Sequence, residues 1–257
     1  MKKEKEKQFK EILAQIKACD ENLTEVNLSD FELRGTDIEL LCQVLPGSKI
    51  TSLNLGLLGL WGEGLVVTLT QVLAQTQITT LGLNDGSMSA NAAKVLVQGL
   101  AQTQITSLDL KRNGIRMGFE GEGAAALAQG LAQTQITTLG FTDNCIDGKG
   151  AEILAQVLPK TKITSLDLRE NEIGPKGAKS LAQVLADTQI TSLDLGDNKI
   201  GPEGAKALAQ VLAQTQITSL DLKWNQIGDK GAKALAQVLA DTQITGLNLN
   251  ENEIGVG

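Results

Sequence analysis

The amino-acid sequence predicts an α/β fold, a solenoid with parallel strands along one side and helices along the other. First, a unit of about 27 residues recurs along the 257-residue chain. Second, apolar residues recur at every second position in the first half of each unit, as in a strand, and at every third or fourth position in the second half, as in a helix. Positions within a unit are counted from its first residue, which is position 0. These first residues are Leu23, Ile50, Ile78, Ile105, Ile136, Ile163, Ile190, Ile217 and Ile244.

The first half of each unit predicts a short strand with one buried face. Positions 0, 3 and 5 are apolar, as in Ile163, Leu166 and Leu168, so positions 2 and 4 point away from the core. The last six units carry Asn at position 8, and we expect these amides to satisfy backbone groups and form a ladder. They are Asn113, Asn144, Asn171, Asn198, Asn225 and Asn252, whereas the first three units have Phe31, Leu58 and Gly86.

The second half of each unit predicts a helix. Ala178, Leu181 and Leu185 fall on one helical face, and Pro175 and Pro202 lie near helix starts, where a missing N–H costs nothing. Glycines that predict a close approach of backbones are Gly177, Gly204 and Gly231. Strands stack about 4.8 Å apart and helices about 8–10 Å apart, which predicts a horseshoe with a concave strand side.

Both ends of the chain depart from the repeat. We expect residues 1–22 to form an N-terminal capping helix, because Phe9, Ile12, Leu13 and Ile16 form an apolar stripe that would cover the first strand. A partner-binding helix is the alternative. Residues 23–257 then form a solenoid of about nine repeats, and we expect the last repeat to be truncated because the sequence ends just after its strand.

The composition argues against several classes of function. The chain has no histidine, the commonest general base and metal ligand, and we expect neither a metal nor a cofactor. Cys19, Cys42 and Cys145 show no paired or metal-ligand spacing and predict a reducing compartment such as a cytosol. The net charge of −7 argues against nucleic acid as a partner. No stretch has the apolar length of a membrane span, so no membrane association is expected.

The repeat resembles a known family. The segment LDLRENEIGPKGAKSLAQVLADTQIT, residues 166–191, looks like a leucine-rich repeat of the ribonuclease-inhibitor-like class. The near-identical units and AQTQIT connectors look most like leucine-rich-repeat effectors of intracellular bacteria such as Legionella. The resemblance covers roughly residues 20–257. It implies the horseshoe fold, protein binding, delivery into a host cytosol and a secretion signal in a segment beyond residue 257.

Position 4 carries an acidic stripe, formed by Asp109, Asp167, Asp194 and Asp221. Three interpretations are open at this point: solvated turn residues multiplied by duplication, a recognition stripe for a basic partner surface, and a metal site. Neighbouring strands offer no histidine, cysteine or EF-hand-like loop to support the metal site.

The pair of residues at positions 6 and 7 differs in every unit, and we predict that these positions bind a partner. Together with positions 2 and 4 they hold eleven acids and four bases, a sum of −7 that equals the net charge of the chain. Such a face attracts partners of opposite sign. The candidates at positions 6 and 7 are Lys111, Arg112, Arg169, Glu170, Asp197, Lys223 and Trp224.

Two aromatic residues are candidate anchors for a partner. Trp224 occupies a position that varies and faces outward, and tryptophan is enriched among the residues that dominate binding energy. A side chain lying on its own neighbours is the alternative. Phe119 lies in RMGFEGEG, where a 31-residue step inserts four residues between strand and helix, and its loop would reach a partner.

These observations predict a non-enzymatic protein-binding module that is monomeric when free. We expect the module to bind a partner enzyme, either a host enzyme or another effector, through its concave face. It would inhibit that partner by steric occlusion. The resemblance also suggests alternatives: a regulator like a GTPase-activating protein, with Arg112 or Arg169 stabilising charge, and an adaptor for ubiquitin transfer.

Overall fold

One parallel sheet runs along the chain. The computed structural model describes residues 3–57, 60–114 and 130–255. Within these ranges nine strands form the sheet in the order β1-β2-β4-β6-β7-β8-β9-β10-β11, while β3 and β5 form a separate pair. The strands are β1 Glu25–Leu33, β2 Ser52–Leu57, β3 Leu60–Trp61, β4 Thr80–Asn84, β5 Ser87–Met88, β6 Ser107–Asp109, β7 Thr138–Gly140, β8 Ser165–Asp167, β9 Ser192–Asp194, β10 Ser219–Asp221 and β11 Gly246–Asn248.

Helices alternate with the strands of this sheet, which confirms the predicted α/β solenoid. Those described are α1 Lys3–Lys17, α2 Gly35–Val44, α3 Glu63–Leu73, α4 Ala90–Leu100, α5 Gly148–Ala155, α6 Gly174–Leu185, α7 Gly201–Leu212 and α8 Gly228–Ala236. Short 3₁₀ turns follow α5 at Leu158–Lys160 and α8 at Leu239–Asp241. No helix within the described ranges is long and apolar enough to cross a membrane.

Strands pair at equivalent positions of neighbouring units. Leu166 is in register with Leu193, Leu193 with Leu220, and Leu220 with Leu247. The first three of these leucines are buried, as is Phe141, which replaces a leucine at position 5. The core is therefore a row of equivalent apolar side chains between the sheet and the helices, and each unit buries its apolar residues only by stacking on its neighbours.

Neighbouring helices approach closely where the sequence predicts it. A Cβ atom built at Gly204 would lie 2.4 Å from Cγ2 of Ile200 and 3.0 Å from Cβ of Ala178 on the preceding helix. Gly177 and Gly231 have the same surroundings in their own units. A methyl group at these positions would push neighbouring helices apart, so the predicted close approach is confirmed.

The asparagines at position 8 form the predicted ladder. The backbone N–H of Asn113 donates to Oδ1 of Asn144 at 3.0 Å, and that of Asn144 donates to Oδ1 of Asn171 at 3.1 Å. The side-chain amide of Asn171 donates to the carbonyls of Phe141 and Leu168, each at 2.9 Å. All six ladder asparagines are buried. Their amides replace sheet partners where the chain turns away from the strand.

The threonine of each connector joins a helix end to the next strand. Thr188 is buried, and its hydroxyl donates to the carbonyl of Leu185 at 2.8 Å and lies 3.4 Å from the N–H of Ile190. The same geometry recurs at Thr215, where the two distances are 2.8 and 3.4 Å. The repeated threonine of the AQTQIT connectors therefore has a structural cause, because it satisfies backbone groups inside the fold.

A helix packs on the first unit. In α1, Phe9 and Ile16 are buried, and the ring of Phe9 lies 6.5 Å from that of Phe31 on β1. Ile12 and Leu13 are half-buried against the same core.

Candidate partner-binding face

The candidate residues lie on the strand face, defined here as the side chains at positions 2, 4, 6 and 7 of each unit. Its acidic stripe at position 4 has a structural role. Oδ1 of Asp109, Asp167, Asp194 and Asp221 accepts the backbone N–H two residues further along, at 3.1, 2.9, 2.9 and 2.8 Å. Each carboxylate thus closes an Asx turn at the end of its strand, a specific contact that none of the three interpretations from the sequence included.

Acidic residues of the stripe stand side by side. Asp194 is in register with Asp167 on one side and Asp221 on the other. Burial raises the pKa of Asp194, and the charges of Asp167 and Asp221 raise it further. Burial also raises the pKa of Asp109. The stripe therefore concentrates negative charge in the last units at some cost in free energy.

Position 7 is less free than its variable sequence indicates. Seven residues there have a positive φ, between 52° and 60°: Asp85, Arg112, Asp143, Glu170, Asp197, Trp224 and Glu251. This left-handed region is strained for most side chains other than Gly, Asn and Asp. The recurrence of aspartate at the position is the signal that sequence analysis missed.

Trp224 stands outside the core. Its side chain is 54% exposed, and the Nζ atom of Lys223 lies 5.8 Å from its ring centroid. Its φ of 60° leaves a large ring in a backbone conformation that suits a small polar residue better. Within the described structure, Trp224 and three aliphatic residues are the exposed large hydrophobic side chains.

A hollow of about 340 Å³ opens beside Trp224, lined by Arg169, Glu170, Gly196, Asp197, Asp221, Lys223 and Trp224. It spans three consecutive units. The Cβ position of Gly196 lies 3.4 Å from Cγ and 3.6 Å from Cδ of Arg169, so Arg169 extends across the glycine. Arg169 itself contacts two acids, Asp167 and Glu170, each at 3.8 Å.

Asp167 and Asp194 adjoin the hollow at position 4, whereas the candidates Asp109, Lys111 and Arg112 lie in earlier units. Arg112 is held between Asp143 at 3.2 Å and Asp85 at 3.5 Å. Its hydrogen bond to Asp143 raises its pKa, and the charge of Asp85 adds to the effect. The backbone N–H of Lys111 donates to Asp109 and to Asn84, both at 3.1 Å. The positive charge of Arg112 is therefore largely neutralised by neighbouring acids.

Two further expectations concern Phe119 and metal binding. Phe119 lies in residues 115–129, outside the described residues. Across the described ranges, no group of three or more Cys, Asp or Glu side chains is arranged to hold a metal ion. The six candidates that the structure brings together are Arg169, Glu170, Asp197, Asp221, Lys223 and Trp224.

Comparison with known proteins agrees with this architecture. The family described as Leucine Rich repeat matches residues 160–182, 187–209 and 214–236. No curated protein matches the sequence. Among solved structures, the leucine-rich repeat-containing protein LegL7 of Legionella pneumophila is similar with a TM-score of 0.59 at 22% identity, over 95% of this chain and 89% of LegL7.

Two further structures have lower similarity. The actin-binding site 2 of leiomodin-1 has a TM-score of 0.49 at 17% identity, over 59% of this chain and 88% of that one. The leucine-rich-repeat ectodomain of the Arabidopsis receptor kinase HAESA, solved with a peptide hormone, has a TM-score of 0.48 at 16% identity, over 89% of this chain and 34% of that one.

The chain contains leucine-rich repeats and folds as a leucine-rich-repeat solenoid. A domain of this class implies protein binding. Leucine-rich-repeat proteins are typically non-enzymatic binding modules.

Proposed function

We propose that the chain is a protein-binding module whose strand face covers the active site of a partner enzyme and so inhibits it. The observation that carries the proposal is Trp224, an exposed indole held at positive φ on that face beside a hollow. Strain and exposure both cost free energy in the unbound chain, and such features concentrate at functional sites. Binding would recover the apolar contribution of the ring.

The repeated backbone supports occlusion rather than an induced change of shape. The buried asparagine ladder and the leucine row tie each strand to the next, so the strand face is a preformed surface. A preformed surface loses little conformational entropy on binding. A preformed protein surface that binds another globular protein excludes other molecules from the area that it covers.

The charge of the face supports a partner with a basic surface. Acids outnumber bases by seven over the four strand-face positions. The AQTQIT connectors resemble those of bacterial effectors, which supports delivery into a host cytosol and a target that is a host enzyme or another effector. The proposed complex forms there by electrostatic attraction and is held by the indole and its neighbours.

Affinity capture with a matched pair of variants tests this function. Immobilised wild-type chain, Trp224→Asn and Lys206→Ala are exposed to host-cell lysate; Lys206 is an exposed residue of α7 on the helix side. We expect wild type and Lys206→Ala to retain the same protein and Trp224→Asn to lose it. Purified wild-type chain should then inhibit that protein's enzymatic activity in proportion to occupancy. Capture that is equal for all three, or a bound enzyme that stays fully active, would contradict the proposal.

A further inference from the structure

We propose that the hollow beside Trp224 accepts one arginine side chain of the partner protein. The inference rests on the proposed function and gives the chemistry that its binding face recognises. The hollow is open because position 6 of this unit is Gly196, whereas the units on either side carry Arg169 and Lys223. The missing side chain leaves a slot bordered by the stem of Arg169, which extends across the glycine.

The walls of this slot suit an extended side chain. On one side, the methylene groups of Arg169 cross over Gly196, within 3.6 Å of the Cβ position there. Trp224 also lines the hollow. The methylenes of an entering side chain would pack against this aliphatic stem and the aromatic ring, where their burial is favourable.

The charge of the slot requires a cation. Its lining contains three acids and two bases, and Asp167 and Asp194 lie alongside at position 4. Five acids against two bases leave three uncompensated negative charges. The carboxylate of Asp197 makes no hydrogen bond or ion pair with any described residue, unlike Glu170, which contacts Arg169 at 3.8 Å. Asp197 is therefore the group that an entering cation would meet.

Arginine fits this arrangement better than lysine. A guanidinium is planar, so it can stack on the indole of Trp224 while it donates two parallel hydrogen bonds to the carboxylate of Asp197. The ammonium of Lys223 lies 5.8 Å from the indole centroid, and Trp224 is still 54% exposed. An ammonium near the ring therefore leaves much of it uncovered. A stacked guanidinium would cover more of the ring and be attracted by its negative face.

Synthetic peptides test the proposal without knowledge of the partner. Three peptides alternate glycine with arginine, with lysine, or with citrulline, the neutral isostere of arginine. Calorimetry measures the dissociation constant of each with the wild-type chain. We expect the arginine peptide to bind at least about tenfold more tightly than the citrulline peptide, and more tightly than the lysine peptide, because only a guanidinium can both stack on the indole and donate two charge-assisted hydrogen bonds.

Two variants place the binding in the slot. Gly196→Asn fills it with the residue that Asn250 supplies at the equivalent position, and Gly196 does not have a positive φ that would oppose a side chain. Asp197→Asn removes the charge at a position where φ is 52°, which asparagine tolerates. Each should weaken binding of the arginine peptide by about tenfold, Gly196→Asn because it blocks the slot and Asp197→Asn because a charge-assisted hydrogen bond is weakened. Asp187→Asn, which removes an exposed carboxylate on a connector, should leave it unchanged.

Other outcomes would contradict the proposal that the slot binds an arginine side chain. Equal affinity for arginine and lysine peptides would mean that the face attracts any cation by its net charge alone. Tighter binding of citrulline would mean that the hollow takes a neutral side chain. If Trp224→Asn loses the captured protein while Gly196→Asn and Asp197→Asn retain it fully, the slot is wrong and the proposed function stands. If Trp224→Asn retains it, the proposed function fails.

Discussion

The backbone N–H of Asn198 donates a hydrogen bond to the side-chain Oδ1 of Asn225, one unit further along, at 3.1 Å. The amide of Asn225 donates in turn to the carbonyls of Leu195 and Leu222, at 2.8 and 3.1 Å. Ladders of this kind tie consecutive turns of the solenoid together at the point where the strands have ended. The rigidity of the strand face depends on them.

Replacing Asn225 by alanine should therefore destabilise the fold. Buried donors and acceptors would lose their partner, and each unsatisfied group costs about 1–3 kcal/mol, so we expect a loss of about 3 kcal/mol or more in the free energy of unfolding. Urea denaturation measures it. Asn250→Ala is the matched control, since Asn250 is exposed and its side chain makes no hydrogen bond within the described structure. Equal effects of the two changes would contradict a structural role for the ladder.

Glycines in the helices should divide into two kinds. Gly204→Ala places a methyl group 2.4 Å from Ile200, and we expect it to cost about 1–3 kcal/mol, as overpacking does, despite the better helix propensity of alanine. Gly64 lies in α3 with nothing within 4 Å of its Cβ position. Gly64→Ala should therefore stabilise by about 0.5 kcal/mol. Thermal unfolding compares the two, and a stabilising Gly204→Ala would contradict the close helix packing.

The backbone at Trp224 predicts an unusual result for stability. Because its φ is 60°, Trp224→Asn should retain or raise the free energy of unfolding, by up to about 1 kcal/mol. Trp224→Val should lower it by about 1–2 kcal/mol, since a β-branched side chain is more strained in the left-handed region. A urea midpoint that is lower for asparagine than for valine would show that the indole stabilises the fold by packing.

The raised pKa of Asp194 predicts how stability depends on pH. The folded chain keeps this proton to a higher pH than the unfolded chain does, so this residue's contribution to stability falls as pH rises from about 4 through the folded pKa. Asp194→Asn keeps an oxygen for the N–H of Gly196, as Asn248 does for Asn250 at 3.1 Å. It should stabilise the fold at pH 7 by about 0.2–1 kcal/mol, the cost of like charges on adjacent strands.

This effect should disappear at low pH. Below about pH 3 the carboxyl of Asp194 is protonated in both states, so wild type and Asp194→Asn should converge in stability. Asp187→Asn, at an exposed connector carboxylate, removes one charge from the same chain and controls for net charge. A gain at pH 7 that is as large for Asp187→Asn would assign the effect to the overall charge instead of the stripe.

Much of the fold follows from periodicity, whereas the site follows only in part. Ile163, Leu166 and Leu168 predict a buried strand face, and the recurring asparagine predicts the ladder, because both depend on which residues repeat. The hollow depends on a position that varies between units, occupied here by Gly196, whose effect arises only when Arg169 and Trp224 lie beside it. The spacing of residues within one unit does not show which side chains of the adjacent units lie beside Gly196.

Backbone conformation explains the other differences. Sequence variation at position 7 indicated freedom, yet Asp197 and Trp224 share a positive φ, which the recurrence of aspartate at this position indicates and the variation obscured. Likewise, Asp221 was predicted as a recognition or turn residue, and the structure adds the specific N–H of Lys223 that it accepts. Arg112 was a candidate on the basis of its charge, but neighbouring units supply the two acids that hold it.

The affinity of the captured partner for two variants tests the central claim most directly. Isothermal calorimetry compares Trp224→Asn on the strand face with Lys206→Ala on the helix side. The account predicts a loss of about 2 kcal/mol or more, roughly thirtyfold, for Trp224→Asn, as truncation of a dominant interface residue produces, and no change for Lys206→Ala. Unchanged affinity for Trp224→Asn, or a larger loss for Lys206→Ala, would contradict binding through the strand face.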